Sequence, residues 1–136
     1  MKRSIIFSIL IISSTFFSCE KYSDCVLPVA GLYEAQIVGI TGPFTMGVSI
    51  DYNDNINIDA QWLKDQWYVA DADTDGCADY YNDNYETMKI HIRSQNMGNG
   101  KTISGEGYYY DFSLQIDYTI TEGNNKYHYT LIATKK

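Results

Sequence analysis

The chain has no segment with a convincing helical stripe, no basic run and only two histidines, His91 and His128. Each absence removes a class of function. Without a basic patch or a basic amphipathic helix there is nothing to hold nucleic acid or to dock on an anionic bilayer. A serine–histidine–acid set needs one histidine beside a serine on a shaped turn. Both histidines instead fall on the polar side of alternating segments, in Lys89-His91-Arg93 and His128-Thr130. No Gly-x-Ser-x-Gly, no His-Glu-x-x-His and no phosphate-cradling glycine loop occurs. Cys77 is a poor nucleophile, because the six acids of Asp71–Glu86 disfavour its thiolate. No enzyme is expected. An acid-pair hydrolase is the one type these absences do not touch, since two carboxylates carry no sequence signature.

What is present begins with an export signal. Met1-Lys2-Arg3 is basic, and Ser4 to Phe17 is apolar with small hydroxyl residues mixed in. The run is short for a membrane span and has the length of a signal-peptide core. It ends in Phe16-Phe17-Ser18-Cys19, which resembles the lipobox of bacterial lipoproteins. That resemblance implies removal of residues 1–18 and acylation of Cys19, which anchors the chain at the bacterial outer membrane through its acyl chains. The full chain carries 17 acids, 10 bases and a net charge of −7; loss of Lys2 and Arg3 leaves 8 bases and a charge of −9. Membrane contact must then come from the lipid. Two cysteines remain, Cys25 and Cys77. In an oxidising compartment an even pair suggests a disulfide.

Residues 19–29 read as a short polar tether, and 30–136 as a single domain. From Gly31 onward the apolar period is two. Inward sets are Tyr33/Ala35/Ile37, Phe44/Met46/Val48/Ile50, Ile56/Ile58/Ala60/Trp62, Met88/Ile90/Ile92, Phe112/Leu114/Ile116/Tyr118/Ile120 and Tyr127/Tyr129/Leu131/Ala133. Ile132 breaks the last pattern. Further strands are expected around 66–70 and 102–109. Parity sets the turns, because directly opposed residues share a face. Ile50 opposite Ile56 requires an odd-length loop. Ile120 opposite Tyr127 requires a two-residue turn at Gly123-Asn124, of type II′. The fold expected is an all-β, antiparallel up-and-down meander of seven or eight strands. It would curl into a small barrel or half-barrel, a β-sandwich being the alternative.

The domain also resembles the short lipocalin-like lipoproteins of Gram-negative bacteria. Gly31-Leu32-Tyr33, Gly105-Glu106-Gly107, Ile116-Asp117-Tyr118 and the ending Tyr129–Lys136 carry the likeness. Tyr33 stands where that family has tryptophan. The resemblance implies a small apolar or amphiphilic ligand in the barrel interior or mouth. Phe44, Met46, Val48, Ile56, Ile58 and Trp62 are its expected lining. The competing expectation is a structural subunit of an envelope protein complex, with a filled interior and an exposed partner surface. One metal site is suggested. Asp71, Asp73, Asp75, the Cys77 carbonyl, Asp79 and Asn82 match the ligand spacing of a calcium loop, with Gly76 at its turn, although position 12 lacks the usual glutamate. Thirteen tyrosines include Tyr108-Tyr109-Tyr110. In a strand Tyr109 must point away from the other two, so the three make no single platform.

Overall fold

The computed structural model describes residues 25–51, 55–77, 80–81, 84–85 and 87–136, with 80–81 and 84–85 described as backbone only. Its strands are β1 Gly31–Ile37, β2 Thr41–Ile50, β3 Asn55–Leu63, β4 Gln66–Asp75, β5 Tyr80–Tyr81, β6 Asn84–Tyr85, β7 Met88–Gly98, β8 Lys101–Tyr110, β9 Ser113–Glu122 and β10 Asn125–Lys135. All except β5 and β6 form one antiparallel barrel in chain order, closed by β10 pairing back onto β1. The short β5–β6 hairpin stands apart from it. The meander is therefore a closed barrel and not a sandwich.

Two-residue periodicity builds this barrel directly. The inward sets of β1, β3, β7 and β9 are buried, while their alternate positions are exposed or half-buried. Ile50 pairs with Ile56 and Tyr127 with Ile120, as parity requires. Glu122 pairs with Asn125 across the Gly123-Asn124 turn, and Gly123 takes φ 61°. A positive φ at the first central position suits type II′, whose twist matches the strands.

Closure also needs two strands to approach closely. On β8, Gly105 and Gly107 lie opposite Tyr118 and Ile116 of β9. A Cβ on Gly105 would stand 2.7 Å from the Cβ of Tyr118, and one on Gly107 would run into the Gln115 carbonyl oxygen. Both glycines face inward, where they make room for the large side chains of β9.

The structure corrects three boundaries. Leu27–Val29 forms one 3-10 turn, and Val26 and Val29 are fully buried. The Tyr33 hydroxyl donates to the Val29 carbonyl at 2.5 Å. The segment read as the end of a tether thus plugs one end of the barrel. Apolar spacing gave no warning, because a single turn is too short to show a period. Phe112, read as the first inward residue of β9, sits instead in the β8–β9 turn and is 55% exposed. Finally, β4 does not stop near Ala70 but runs on to Asp75.

Cys25 and Cys77 are disulfide-bonded, with Cα atoms 4.3 Å apart. The bridge ties the plug to the segment that follows β4. It closes a loop with a sequence separation of 52. In the chain-entropy account a loop of that length contributes about 4 kcal/mol.

Candidate functional site

Met46, Ile56, Ile58 and Trp62 are wholly buried, Val48 is 5% exposed, and Phe44 packs half-buried against them. The structure brings the expected ligand-lining set together, in a core made with Tyr33, Met88, Ile90, Ile116, Tyr118 and Leu131. An eight-stranded barrel is just wide enough for side chains to fill. Here the aromatic residues lock one another. The Trp62 and Tyr118 rings meet edge-on, 5.0 Å between centroids. The Tyr118 hydroxyl donates to the Trp62 carbonyl at 2.6 Å, and the Trp62 indole N–H donates to the Tyr68 carbonyl at 2.9 Å. Among the described residues, no buried side-chain polar atom lacks a partner. Burial first, then a neighbouring phenol, raises the Tyr33 and Tyr118 hydroxyls far above the usual tyrosine range. Trp67 lies at the rim, half-exposed, its ring 5.6 Å from that of Phe44.

Three of the expected calcium-binding side chains lie among the described residues. Asp71, Asp73 and Asp75 alternate with the buried Ala70 and Ala72 along a regular strand. Along a strand these carboxylates follow a straight line at about 6.7 Å per step rather than the turn of a loop. Arg93 Nε lies 3.2 Å from the Asp73 carboxylate. Among the described residues no group of three or more acids, histidines or cysteines is placed to hold a metal. Asp79 and Asn82 lie outside the described residues, as do Cys19 and the signal segment.

Among the described residues, two clefts lie on the outside of the barrel. The first has a volume of about 580 Å³ and spans β8, β9, β10 and β1. Two parallel rungs of outward side chains cross it. One runs Tyr108–Gln115–Ile132–Gln36 and the other Tyr110–Ser113–Thr134–Glu34. Four strands span three gaps, so the cleft is about 14 Å across, and its rungs are about 6.7 Å apart. It is concave because the two middle strands carry the smaller Ser113 and Thr134, while tyrosines rise on one side and Glu34, Gln36 and Pro43 on the other. Tyr108 and Tyr110 are 43% and 44% exposed, whereas Tyr109 between them is buried. The Tyr108 hydroxyl donates to Gln115 Oε1 at 3.2 Å.

The turn joining Tyr110 to Ser113 is unusual. Asp111 and Phe112 both have positive φ, 47° and 61°. A two-residue turn of this kind favours glycine at the second position. A bulky residue in the left-handed region costs on the order of 1 kcal/mol. The Phe112 carbonyl accepts the Lys135 N–H at 2.8 Å, which ties the turn to the end of β10.

The second outer cleft, about 480 Å³, lies under the exposed Val38 and Ile40 of the β1–β2 turn. Its polar side chains are already engaged with one another. Thr130 Oγ1 donates to Asp117 Oδ1 at 2.7 Å, and Thr119 Oγ1 lies 2.8 Å from His128 Nδ1. Neither cleft is lined by the six core residues expected to hold a ligand. The signal for the first cleft was nevertheless in the sequence. Ile132 broke the inward rhythm, and Tyr108 and Tyr110 had to point opposite to Tyr109. All three out-of-phase residues line one cleft. No family model, curated protein or solved structure matches the chain.

Proposed function

We propose that this protein is an exported, lipid-anchored envelope protein that recognises its target with the outer wall of a solid barrel. The lipobox-like Ser18-Cys19 supports the anchor. Five residues lie between Cys19 and Cys25, and the six steps of chain that join them reach at most about 20 Å. With Cys25 held by its disulfide, the plugged end of the barrel stays near the bilayer. The side wall carrying the 580 Å³ cleft remains open to the surroundings.

One observation carries the reading. The inward side chains of the barrel bury one another, and the two clefts among the described residues are outside it. A ligand inside would have to displace Trp62, Met46 or Tyr118 from contacts with no exposed surface to spare. This favours recognition at the outer wall over a small molecule held in the interior. The reading involves recognition and no bond-making step.

Two measurements on one preparation test it. Full-length protein is expressed in a Gram-negative host with labelled palmitate and purified from membranes. Label is expected on the wild type and absent from Cys19→Ala. Native mass spectrometry should then show the acylated polypeptide with its disulfide and no further mass. A stoichiometric apolar adduct would overturn the solid-barrel reading, and label retained by Cys19→Ala would overturn the anchor.

A further inference from the structure

We propose that the outer cleft between Tyr108–Tyr110 and Glu34–Gln36 binds a short neutral oligosaccharide. The proposal rests on the outer-wall reading above and names the class of target. Four properties of the cleft select that class.

The first is charge. Among the lining residues Glu34 is the only ionised side chain, and none is basic. Lys136 is not part of the lining and gives its ammonium to Thr45 Oγ1 at 2.8 Å. A phosphate, sulfate or carboxylate ligand would meet one fixed negative charge in an acidic protein, with no partner for its own. The ligand therefore carries no negative charge.

The second is polarity. The floor alternates groups, with Ile132 beside Gln115 in one rung and Thr134 beside Ser113 in the other. A purely apolar ligand would strip water from the amide and hydroxyls without replacing their bonds. A pyranose ring has an apolar C–H face and a belt of hydroxyls, and this floor offers partners for both.

The third is the wall. Tyr108 and Tyr110 stand on the same side of one strand, each more than two-fifths exposed. Tyrosine presents a flat apolar face with a polar tip, at low entropy cost because few torsions must be fixed. The bond from the Tyr108 hydroxyl to Gln115 joins that wall to the floor. Across the cleft, Glu34 and Gln36 supply acceptors that can bridge vicinal hydroxyls.

The fourth is shape and rigidity. At about 580 Å³ the cleft lies within the range of small-ligand sites. It is open along its length, which suits a chain of sugars better than a single enclosed molecule. Its floor strands β9 and β10 pair without interruption from Thr134↔Ser113 to Asn125↔Glu122, so binding need not order a loop. At one edge, the turn carrying Phe112 keeps an exposed aromatic residue where glycine would be easier. Such local strain is a pointer to function when a cleft lies beside it.

The test uses the mature chain carrying its disulfide. Soluble maltohexaose, cellohexaose, laminarihexaose and chitohexaose are titrated by calorimetry and by amide chemical shift. At least one is expected to bind at millimolar or tighter affinity, with shifts at Gln36, Tyr108, Gln115 and Ile132. Tyr108→Ala and Tyr110→Ala should each weaken that binding by about tenfold, the loss expected for an aromatic contact. Tyr110→Phe keeps the ring and should bind within about threefold of wild type. Tyr127→Ala, an exposed tyrosine outside the cleft, should bind as wild type. The thermal midpoint of every variant is recorded, so that misfolding is not mistaken for lost contact. If none of the four sugars binds, or if the tyrosine variants bind as wild type, the oligosaccharide proposal is overturned. Native mass spectra of the untreated protein separate that failure from a deeper one. A clean spectrum without sugar binding sinks the ligand class alone, whereas a retained apolar molecule sinks the outer-wall reading too.

Discussion

The wall β8–β9–β10 and the junction of β4 with β7 are built from the same kind of strand but held in opposite ways. In the wall, β9 pairs with β10 from Thr134↔Ser113 to Asn125↔Glu122, and with β8 from Lys101↔Glu122 to Tyr110↔Ser113. Each ladder is continuous, and the inward glycines of β8 let β9 lie close. At the junction, backbone pairing covers only Ala72↔Ile92 to Asp75↔Lys89. Beyond that point a side chain takes over. Gln95 Oε1 accepts the Asp71 N–H at 2.9 Å and the Tyr68 hydroxyl at 2.8 Å. Its Nε2 donates to the Asp71 and Arg93 carbonyls, each at 2.8 Å. One amide thus copies the donor and acceptor of a missing strand residue. The lesson is that this barrel is closed by backbone on the side that carries the cleft and by a side-chain clip and a disulfide on the other. A rigid recognition surface belongs on the first.

The contrast can be broken at several points, and the largest effect is expected at the disulfide. Cys25→Ser with Cys77→Ser should lower unfolding free energy by about 4 kcal/mol in urea titration, the loop entropy of the bridge. Hydrogen exchange should quicken first in β4, with β9 and β10 protected longest. Next comes the wall itself. Gly107→Ala drives a Cβ into the Gln115 carbonyl and the Ile116 backbone, which have no room to move. The overpacking should cost about 3 kcal/mol. Because the wall is continuous, exchange should rise across β8, β9 and β10 together.

Gln95→Ala follows. It leaves the Asp71 backbone and the Tyr68 hydroxyl without their partner at a partly solvated site, at a cost of about 2 kcal/mol. Amides of Gln66–Asp71 should exchange faster while those of β9 stay unchanged. Uniform loss of protection would contradict the idea of a separate junction. The smallest effect has the opposite sign. Phe112→Gly relieves the left-handed strain and should raise stability by about 1 kcal/mol or slightly less.

Alkaline pH probes the filled interior. Burial raises the Tyr33 and Tyr118 phenols above the value near 10 that they have in the unfolded chain. The folded state therefore keeps protons that the unfolded state gives up. The stability these groups contribute is fully present below pH 10 and is lost as pH climbs from 10 toward their folded values. Urea midpoints should be flat from pH 7 to 9 and fall steeply above 10. Tyr118→Phe should flatten that fall.

Much of this was legible in the chain. Period-two spacing gave six of the eight barrel strands, the other two being expected around 66–70 and 102–109, and index parity gave the two hairpin registers, because a one-residue slip would turn every inward side chain outward. The same spacing reads two ways at Asp71-Asp73-Asp75. Alternate acids look like calcium ligands, but alternation is also what the outer side of a strand must show, and Ala70 and Ala72 supply the inner side. Phe112 fitted the inward phase of β9 and was lost to turn geometry, which apolar spacing does not see. Val26 and Val29 had no period to announce them. The cleft was half-visible, since Ile132, Tyr108 and Tyr110 were out of phase. Their meeting on one wall depended on which strands pair across β8, β9 and β10.

The central claim is a barrel whose interior is its own core and whose recognition surface is outside. The most direct test is an amide and indole spectrum of the isotope-labelled domain during titration with dodecanoate, an apolar chain thin enough to enter a hollow barrel. The Trp62 indole and the amides of Met46, Ile56 and Ile58 should not move. Saturable shifts at those four positions, with the outer rungs unmoved, would contradict the account.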